Sequence, residues 1–253
     1  MKKMFKLNRW LLAALLVASA GSLQSCLDDD NGYPYELLIP KAVVTVKPTA
    51  ADAFYMQLDD ETTLKPVNVT ASPFGEKEVR ALVNYDVTDD PASPYDQAVH
   101  INWIDSLLTK PMAPNLGEAE NNAKYGTDAV DILADWVTIV EDGYLTLRFG
   151  CYGNPTSTTA HFVNLVSTNN PDDPYEVEFR HNAYDDIGSQ LKVGLVAFRL
   201  ADLPDTEGQT VKLTLKWKSY GGDKSVTFDY CTRQTTVPGG EAIAAERSTL
   251  KMK

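Results

Sequence analysis

The chain has 253 residues, with 23 Lys and Arg against 35 Asp and Glu, and a formal net charge of −12. So acidic a balance excludes nucleic acid as a partner and leaves little electrostatic attraction to anionic lipid. With 43% hydrophobic and 9% aromatic residues, the composition is that of a folded globular protein long enough for two domains, each with its own core.

In chain order, Lys2, Lys3, Lys6 and Arg9 precede an apolar run over 10–20 that is too short to span a bilayer, which reads as an export signal and not as an anchor. The run is followed by Leu23-Gln24-Ser25-Cys26, and this segment resembles bacterial lipoprotein signal peptides, in which diacylglycerol is joined to the cysteine sulfur and the chain is cut just before it. The resemblance makes residues 1–25 the signal peptide and Cys26 the lipidation site. Asp28, Asp29 and Asp30 resemble the acidic signal by which some Gram-negative anaerobes send lipoproteins to the outside of the outer membrane. The expected location is therefore the outer membrane, lipid-anchored and facing the exterior. The membrane is then a partner through acyl chains on Cys26, each buried methylene contributing ~0.8 kcal/mol. Cleavage removes four of the 23 Lys and Arg and none of the 35 Asp and Glu, leaving a body of formal charge −16 on an acidic tether over 26–40.

From there on nearly every periodic segment has period two, so the chain is expected to be all-β. Strands are predicted over 42–47, 54–58, 62–67, 79–87 and 99–107, five short strands that suit a small barrel over 41–110. In the fourth, Val79, Ala81, Val83, Tyr85 and Val87 share one face while Arg80, Asn84 and Asp86 fall on the face expected to be wet. The fifth places Val99, Ile101 and Trp103 inward.

The strand pattern stops over 111–135, where Pro111 and Pro114 break it; this is the expected linker, with a short helix over 117–124 and another turn or two over 129–133. A second group then opens with 136–141 and 144–151 around Asp142-Gly143, the strongest local hairpin signal in the sequence. Further strands follow at 161–166, 175–180, 192–200, 211–218 and 225–231, a spacing that predicts an antiparallel sandwich over 136–232. Val211, Leu213, Leu215 and Trp217 alternate cleanly with Lys212, Thr214, Lys216 and Lys218. Residues 233–253 are Gly-rich and polar and read as a loose tail. Cys151 falls in phase with Leu145, Leu147 and Phe149, whereas Cys231 falls with Thr227 and Asp229, and opposed phases argue against a disulfide between them.

Several stretches together resemble the NigD-like lipoproteins. They are Cys26 with the acidic triplet and Gly32-Tyr33, the run from Phe54 to Pro66, Val83-Asn84-Tyr85, the run from Ile104 to Lys110, Gly143-Tyr144-Leu145, and Phe162-Val163-Asn164-Leu165. The sequence departs from the family pattern at Glu61, where glycine is expected, and at Lys65, where an aromatic is common. The resemblance implies an OB-type barrel followed by a β-sandwich. The family takes its name from a bacteriocin operon and supplies no established catalytic or binding residues.

Candidate chemistry is sparse. His100 lies on a predicted strand, His161 begins one and His181 ends one, so by spacing the three form no metal or catalytic set and read as surface or boundary residues. HExxH, GxSxG and paired CxxC are absent from the sequence, and neither metal nor cofactor is expected. Asp89-Asp90, Asp172-Asp173 and Asp185-Asp186 lack calcium-loop spacing and read as turns on an acidic surface. Trp103, Trp136 and Trp217 are expected to pack. Tyr95, Tyr152, Tyr184 and Tyr220 sit in or beside turns and are the candidate ligand-contact residues. These observations favour a non-catalytic binding or assembly module for glycan or protein. A bacteriocin-associated protection or export protein is the second reading, and an enzyme with an unrecognised site the third.

Overall fold

A computed structural model of the chain describes residues 35–50 and 53–233. Cys26, Asp28, Asp29 and Asp30 lie outside them, as does the segment 234–253. The chain divides into two units, Met1–Leu38 and Ile39–Lys253. In the first, the described residues form one 3-10 turn at Tyr35–Leu37. No helix among the described residues is long and apolar enough to cross a membrane.

The second unit begins with a closed five-stranded barrel built from β1 (Ala42–Ala50), β2 (Ala53–Gln57), β3 (Thr63–Pro66), β4 (Val79–Thr88) and β5 (Gln97–Ser106). Its strand order is β1-β2-β3-β5-β4, and β1 pairs with β4 to close the ring. Closure leaves no free edge, which is how so small a sheet avoids pairing with other chains. Val44, Val46, Phe54, Met56, Leu64, Ala81, Val83, Val99 and Ile101 fill the interior, so the inward face expected of β4 and β5 is present at its centre. Trp103, beyond a register shift in the β4–β5 ladder, is only half-buried.

The remainder is the expected sandwich, but it is mixed and not wholly antiparallel: Glu176–Asn182 pairs in parallel with Val211–Ser219, and Leu108–Pro111 with Gln190–Arg199. One sheet has the order β10 (Phe162–Ser167), β11 (Glu176–Asn182), β13 (Val211–Ser219) and β14 (Gly222–Tyr230). The other runs β6 (Leu108–Pro111), β12 (Gln190–Arg199), β9 (Tyr144–Gly153) and β7 (Asp131–Ile132), with β8 (Ile139–Glu141) also on β9. The core between them includes Leu145, Leu147, Phe149, Val163, Leu165, Phe179, Val196, Phe198, Leu213, Leu215 and Trp217. On β13 the apolar set faces this core and Lys212, Lys216 and Lys218 face solvent, as the alternation requires. Asp142 and Gly143 both have positive φ, 47° and 71°, the conformation a two-residue hairpin between β8 and β9 needs.

Three sequence expectations are corrected here. The stretch 111–135 packs as part of the sandwich: α1 (Glu118–Tyr125) is the expected helix, but 129–133 contains β7, which pairs with β9 at Phe149 and Gly150. Arg80 and Asn84, expected on a wet face, are fully buried. The reason for Arg80 is that the β8–β9 hairpin lies over that side of the barrel: Arg80 donates to Thr45 and Thr146 hydroxyls at 3.1 and 3.4 Å and pairs with Glu141 at 3.3 Å. Beside it, Asp142 pairs with Lys47 from β1 at 2.9 Å, and its backbone N–H donates to Asp60 at 2.7 Å. Arg233, assigned to the loose tail, forks onto Asp142 at 2.6 and 2.7 Å and reaches Glu78 at 2.8 Å. Val43, Leu107 and Val137 form a small apolar cluster in the same barrel–sandwich contact.

Candidate functional site

Among the described residues, a group of potentially metal-ligating side chains lies at one end of the sandwich. Cys151 is near the end of β9, on its inward face with Leu145, Leu147 and Phe149, and is 4% exposed. His161 immediately precedes β10, and His181 lies on β11, where its backbone is opposite Val163. Antiparallel pairing of β10 with β11 therefore brings the two imidazoles to one place, and the facing sheet supplies the thiol. His161 Nδ1 is 3.4 Å from Cys151 Sγ and 2.9 Å from His181 Nε2. The loop after β11 supplies Asp186, whose Oδ2 is 2.9 Å from His161 Nε2 and 2.7 Å from the Lys192 ammonium, and whose Oδ1 accepts from the Asn154 N–H at 2.8 Å.

Two glycines make this approach possible. A Cβ on Gly153 would meet Asp186 Oδ2 at 2.8 Å and the end of Lys192 at 2.9 Å. A Cβ on Gly188 would meet the Gly153 carbonyl oxygen at 2.0 Å, so the loop can lie against the end of β9 only with hydrogen at that position.

The electrostatics follow from these contacts. Hydrogen bonds from Lys192, His161 and the Asn154 N–H hold the Asp186 carboxyl well below the usual carboxylate range. An ionised Asp186 accepts from His161, which fixes that ring as the Nε2–H tautomer and leaves the Nδ1 lone pair aimed at Cys151 and His181. Burial, followed by the neighbouring His161, pushes the His181 pKa down, so this ring is held toward its neutral form. Burial also pushes the Cys151 thiol up, against Lys192, which opposes the shift. A buried thiol raised in this way is a poor nucleophile.

A cleft of about 230 Å³ borders this cluster. Tyr152, Tyr220, Ile187, Asp128, Asp185 and His181 are among its lining residues. Tyr220 occupies the tip of the β13–β14 hairpin, where Ser219 is paired with Gly222, and so has no core to enter. Its ring meets Tyr152 edge-on at 5.2 Å with an interplanar angle of 74°, and its hydroxyl accepts from the Tyr152 N–H at 2.9 Å. Both rings are about half exposed, at 47% and 48%.

Of the four candidate tyrosines, the structure thus brings Tyr152 and Tyr220 together. Tyr184 is exposed on the loop that carries Asp186 and does not line the cleft, while Tyr95 stacks at 5.2 Å on Tyr55 of the barrel. Trp217 is buried as expected, but Trp136 is 51% exposed. It sits on the turn before β8, where Val137 takes the buried position, and borders an apolar groove of about 460 Å³ with Leu82, Val193 and Leu195. The reading of the histidines is corrected as well: His100 is exposed on β5, but His161 and His181 form a cluster with Cys151. Asp186, assigned to an acidic surface turn, is buried within the same group. Separation along the chain hid these contacts, because they are made between strands and across the two sheets. Cys151 and Cys231 are both free thiols.

Residues 43–107 match the family model described as the NigD-like N-terminal OB domain, and residues 111–230 match the NigD-like C-terminal beta sandwich domain. Among solved structures, a protein from Parabacteroides distasonis ATCC 8503, provisionally named as toxin-related, is 38% identical with a TM-score of 0.63, over 76% of this chain and 92% of its own. A protein of unknown function from Bacteroides vulgatus ATCC 8482 is 24% identical with a TM-score of 0.58, over 79% of this chain and 94% of its own. A NigD-like immunity protein from Bacteroides caccae ATCC 43185 is 18% identical with a TM-score of 0.53, over 75% and 96%. The last two likenesses bear on the fold alone. No curated protein matches the chain.

Proposed function

The chain belongs to the NigD-like family, and from that premise we propose that it is a lipid-anchored outer-membrane protein of the cell surface that binds glycan through the Tyr152–Tyr220 cleft without catalysing a reaction. The observation that carries this reading is the pair of half-exposed rings at the cleft, with Asp128 and Asp185 among the lining groups. Sugars offer an apolar face that packs on an aromatic ring and hydroxyls that donate to carboxylates, so this combination suits them. Lipidation at Cys26 and export directed by Asp28, Asp29 and Asp30 are the sequence side of the proposal. The tether over 26–40 would hold barrel and sandwich away from the membrane. A non-catalytic role fits a thiol that is buried and whose pKa is raised by that burial.

The test is a glycan array probed with the mature chain. A saturable glycan ligand is expected, with affinity weakened about tenfold or more by Tyr152→Ala or Tyr220→Ala and kept by Trp136→Ala, which alters the other groove. If no glycan binds, or if the tyrosine variants bind as well as the parent, the cleft is not a glycan site. A protein captured in its place would make the module one for protein. Surface display is tested separately: protease applied to intact cells should remove the protein, and survival until the cells are lysed would put it on the periplasmic face.

The toxin-related name of the protein that is 38% identical favours a second reading, protection or export associated with a bacteriocin. Deletion of the gene should then raise sensitivity to the producer's own toxin. Unchanged sensitivity would remove this reading.

A further inference from the structure

We infer that Cys151, His161 and His181 form a binding site for a single transition-metal ion of the zinc class. The three donor atoms lie within 4.8 Å of one another, with Sγ to Nδ1 at 3.4 Å and Nδ1 to Nε2 at 2.9 Å. Around a tetrahedral zinc with bonds of about 2.3 Å to sulfur and about 2.0 Å to nitrogen, such atoms stand roughly 3.5 and 3.3 Å apart, so small side-chain adjustments complete the geometry. One thiolate and two imidazoles suit zinc and its neighbours and not the hard, oxygen-seeking ions calcium and magnesium. Three protein donors leave the fourth position for water or a ligand group.

The surroundings point the same way. Asp186 accepts from His161 Nε2–H at 2.9 Å, the carboxylate–imidazole arrangement that orients metal-binding histidines and keeps the other nitrogen deprotonated. His181 is 2% exposed, and its Nδ1 is a buried nitrogen without a hydrogen-bond partner. Without a metal, His181 Nε2–H would donate to His161 Nδ1 and leave Nδ1 of His181 a bare buried acceptor. With Nε2 on a metal, Nδ1 carries the proton instead and is no longer a bare acceptor. Binding replaces the thiol proton by the ion, and that proton leaves to solvent. The site does not depend on the glycan reading and can hold or fail without it.

The experiment uses the full chain with Cys26→Ser, so that Cys151 and Cys231 are the only thiols. The protein is reduced, stripped with a chelator and titrated with Co²⁺, then with Zn²⁺. One Co²⁺ per chain is expected, with a thiolate-to-cobalt charge-transfer band and the intense visible bands of a tetrahedral site, bleached by one equivalent of Zn²⁺. Cys151→Ser should abolish the charge-transfer band and Cys231→Ser should keep it. His161→Gln and His181→Gln should each weaken binding more than tenfold, and Asp186→Asn about 10–100-fold. Should a variant fail to fold, the parent protein still decides the matter: Zn²⁺ should protect Cys151 from alkylation, read by peptide mass. Absence of the charge-transfer band, survival of that band in Cys151→Ser, or equal alkylation with and without Zn²⁺ would overturn the assignment.

Discussion

Asp142 illustrates how much one residue can carry. Its backbone turns the β8–β9 hairpin at φ 47°, and its buried carboxylate meets Lys47 on one side and Arg233 on the other. Burial alone would raise its pKa, but the guanidinium of Arg233 and the ammonium of Lys47 outweigh it and hold the carboxyl below its ordinary 3.8. A carboxyl with a depressed folded-state pKa stabilises the fold fully above its unfolded value, and this stabilisation is lost as pH falls from about 4 through the folded pKa. Asp142→Asn keeps a residue that tolerates positive φ and removes only the charge, taking from Lys47 its carboxylate and leaving Arg233 with Glu78 alone. It should cost about 3 kcal/mol in urea unfolding at neutral pH and flatten the loss of stability below pH 4. A variant as stable as the parent would mean that the ion pairs contribute nothing net. Of this residue's two roles only the turn is legible in the sequence, since Asp-Gly between alternating strands is a local pattern. Its partners are 95 and 91 residues away.

At the scale of elements, the loop between β11 and β12 decides whether the sandwich end is a site or merely a rim. The contact between Gly188 and the Gly153 carbonyl seats the loop, and seating puts Asp186 under His161. Gly188→Ala would drive a Cβ into backbone, so the loop should lift, costing about 1–3 kcal/mol. The imidazole NMR signals of His161 should shift as it loses its carboxylate. Unchanged signals and an unchanged melting temperature would show that something else seats the loop. Nothing in 183–189 as a string distinguishes this loop from an acidic turn; the buried position of Asp186 appears only when β9, β10 and β12 surround it.

For the molecule as a whole, barrel and sandwich share an interface of ion pairs and apolar contacts. Arg80, fully buried, reaches Thr146 and Glu141 across it, and the Tyr144 ring lies within 5.9 Å of the guanidinium groups of Arg80, Arg199 and Arg233. The two halves are therefore expected to unfold together, with circular dichroism and tryptophan fluorescence giving coincident urea transitions. Arg80→Leu, which leaves Glu141 without its partner, should separate them into two. Two transitions in the unaltered protein would show that the interface couples the halves too weakly to matter.

By itself the sequence determined the all-β class, the order of barrel and sandwich, the inward faces of β9 and β13, that of β4 as far as Val83 but not at Val87, which is exposed, and the hairpin at Asp142-Gly143. These depend on side-chain phase and turn chemistry, which act between near neighbours and are written in adjacent letters. Only the tertiary structure decided that Arg80 is buried, that Trp136 is exposed, that Tyr152 meets Tyr220, and that Cys151, His161, His181 and Asp186 converge. Each of these depends on which strands become neighbours and which sheet faces which. Those choices are settled by packing summed over the whole core, and no local spacing records them.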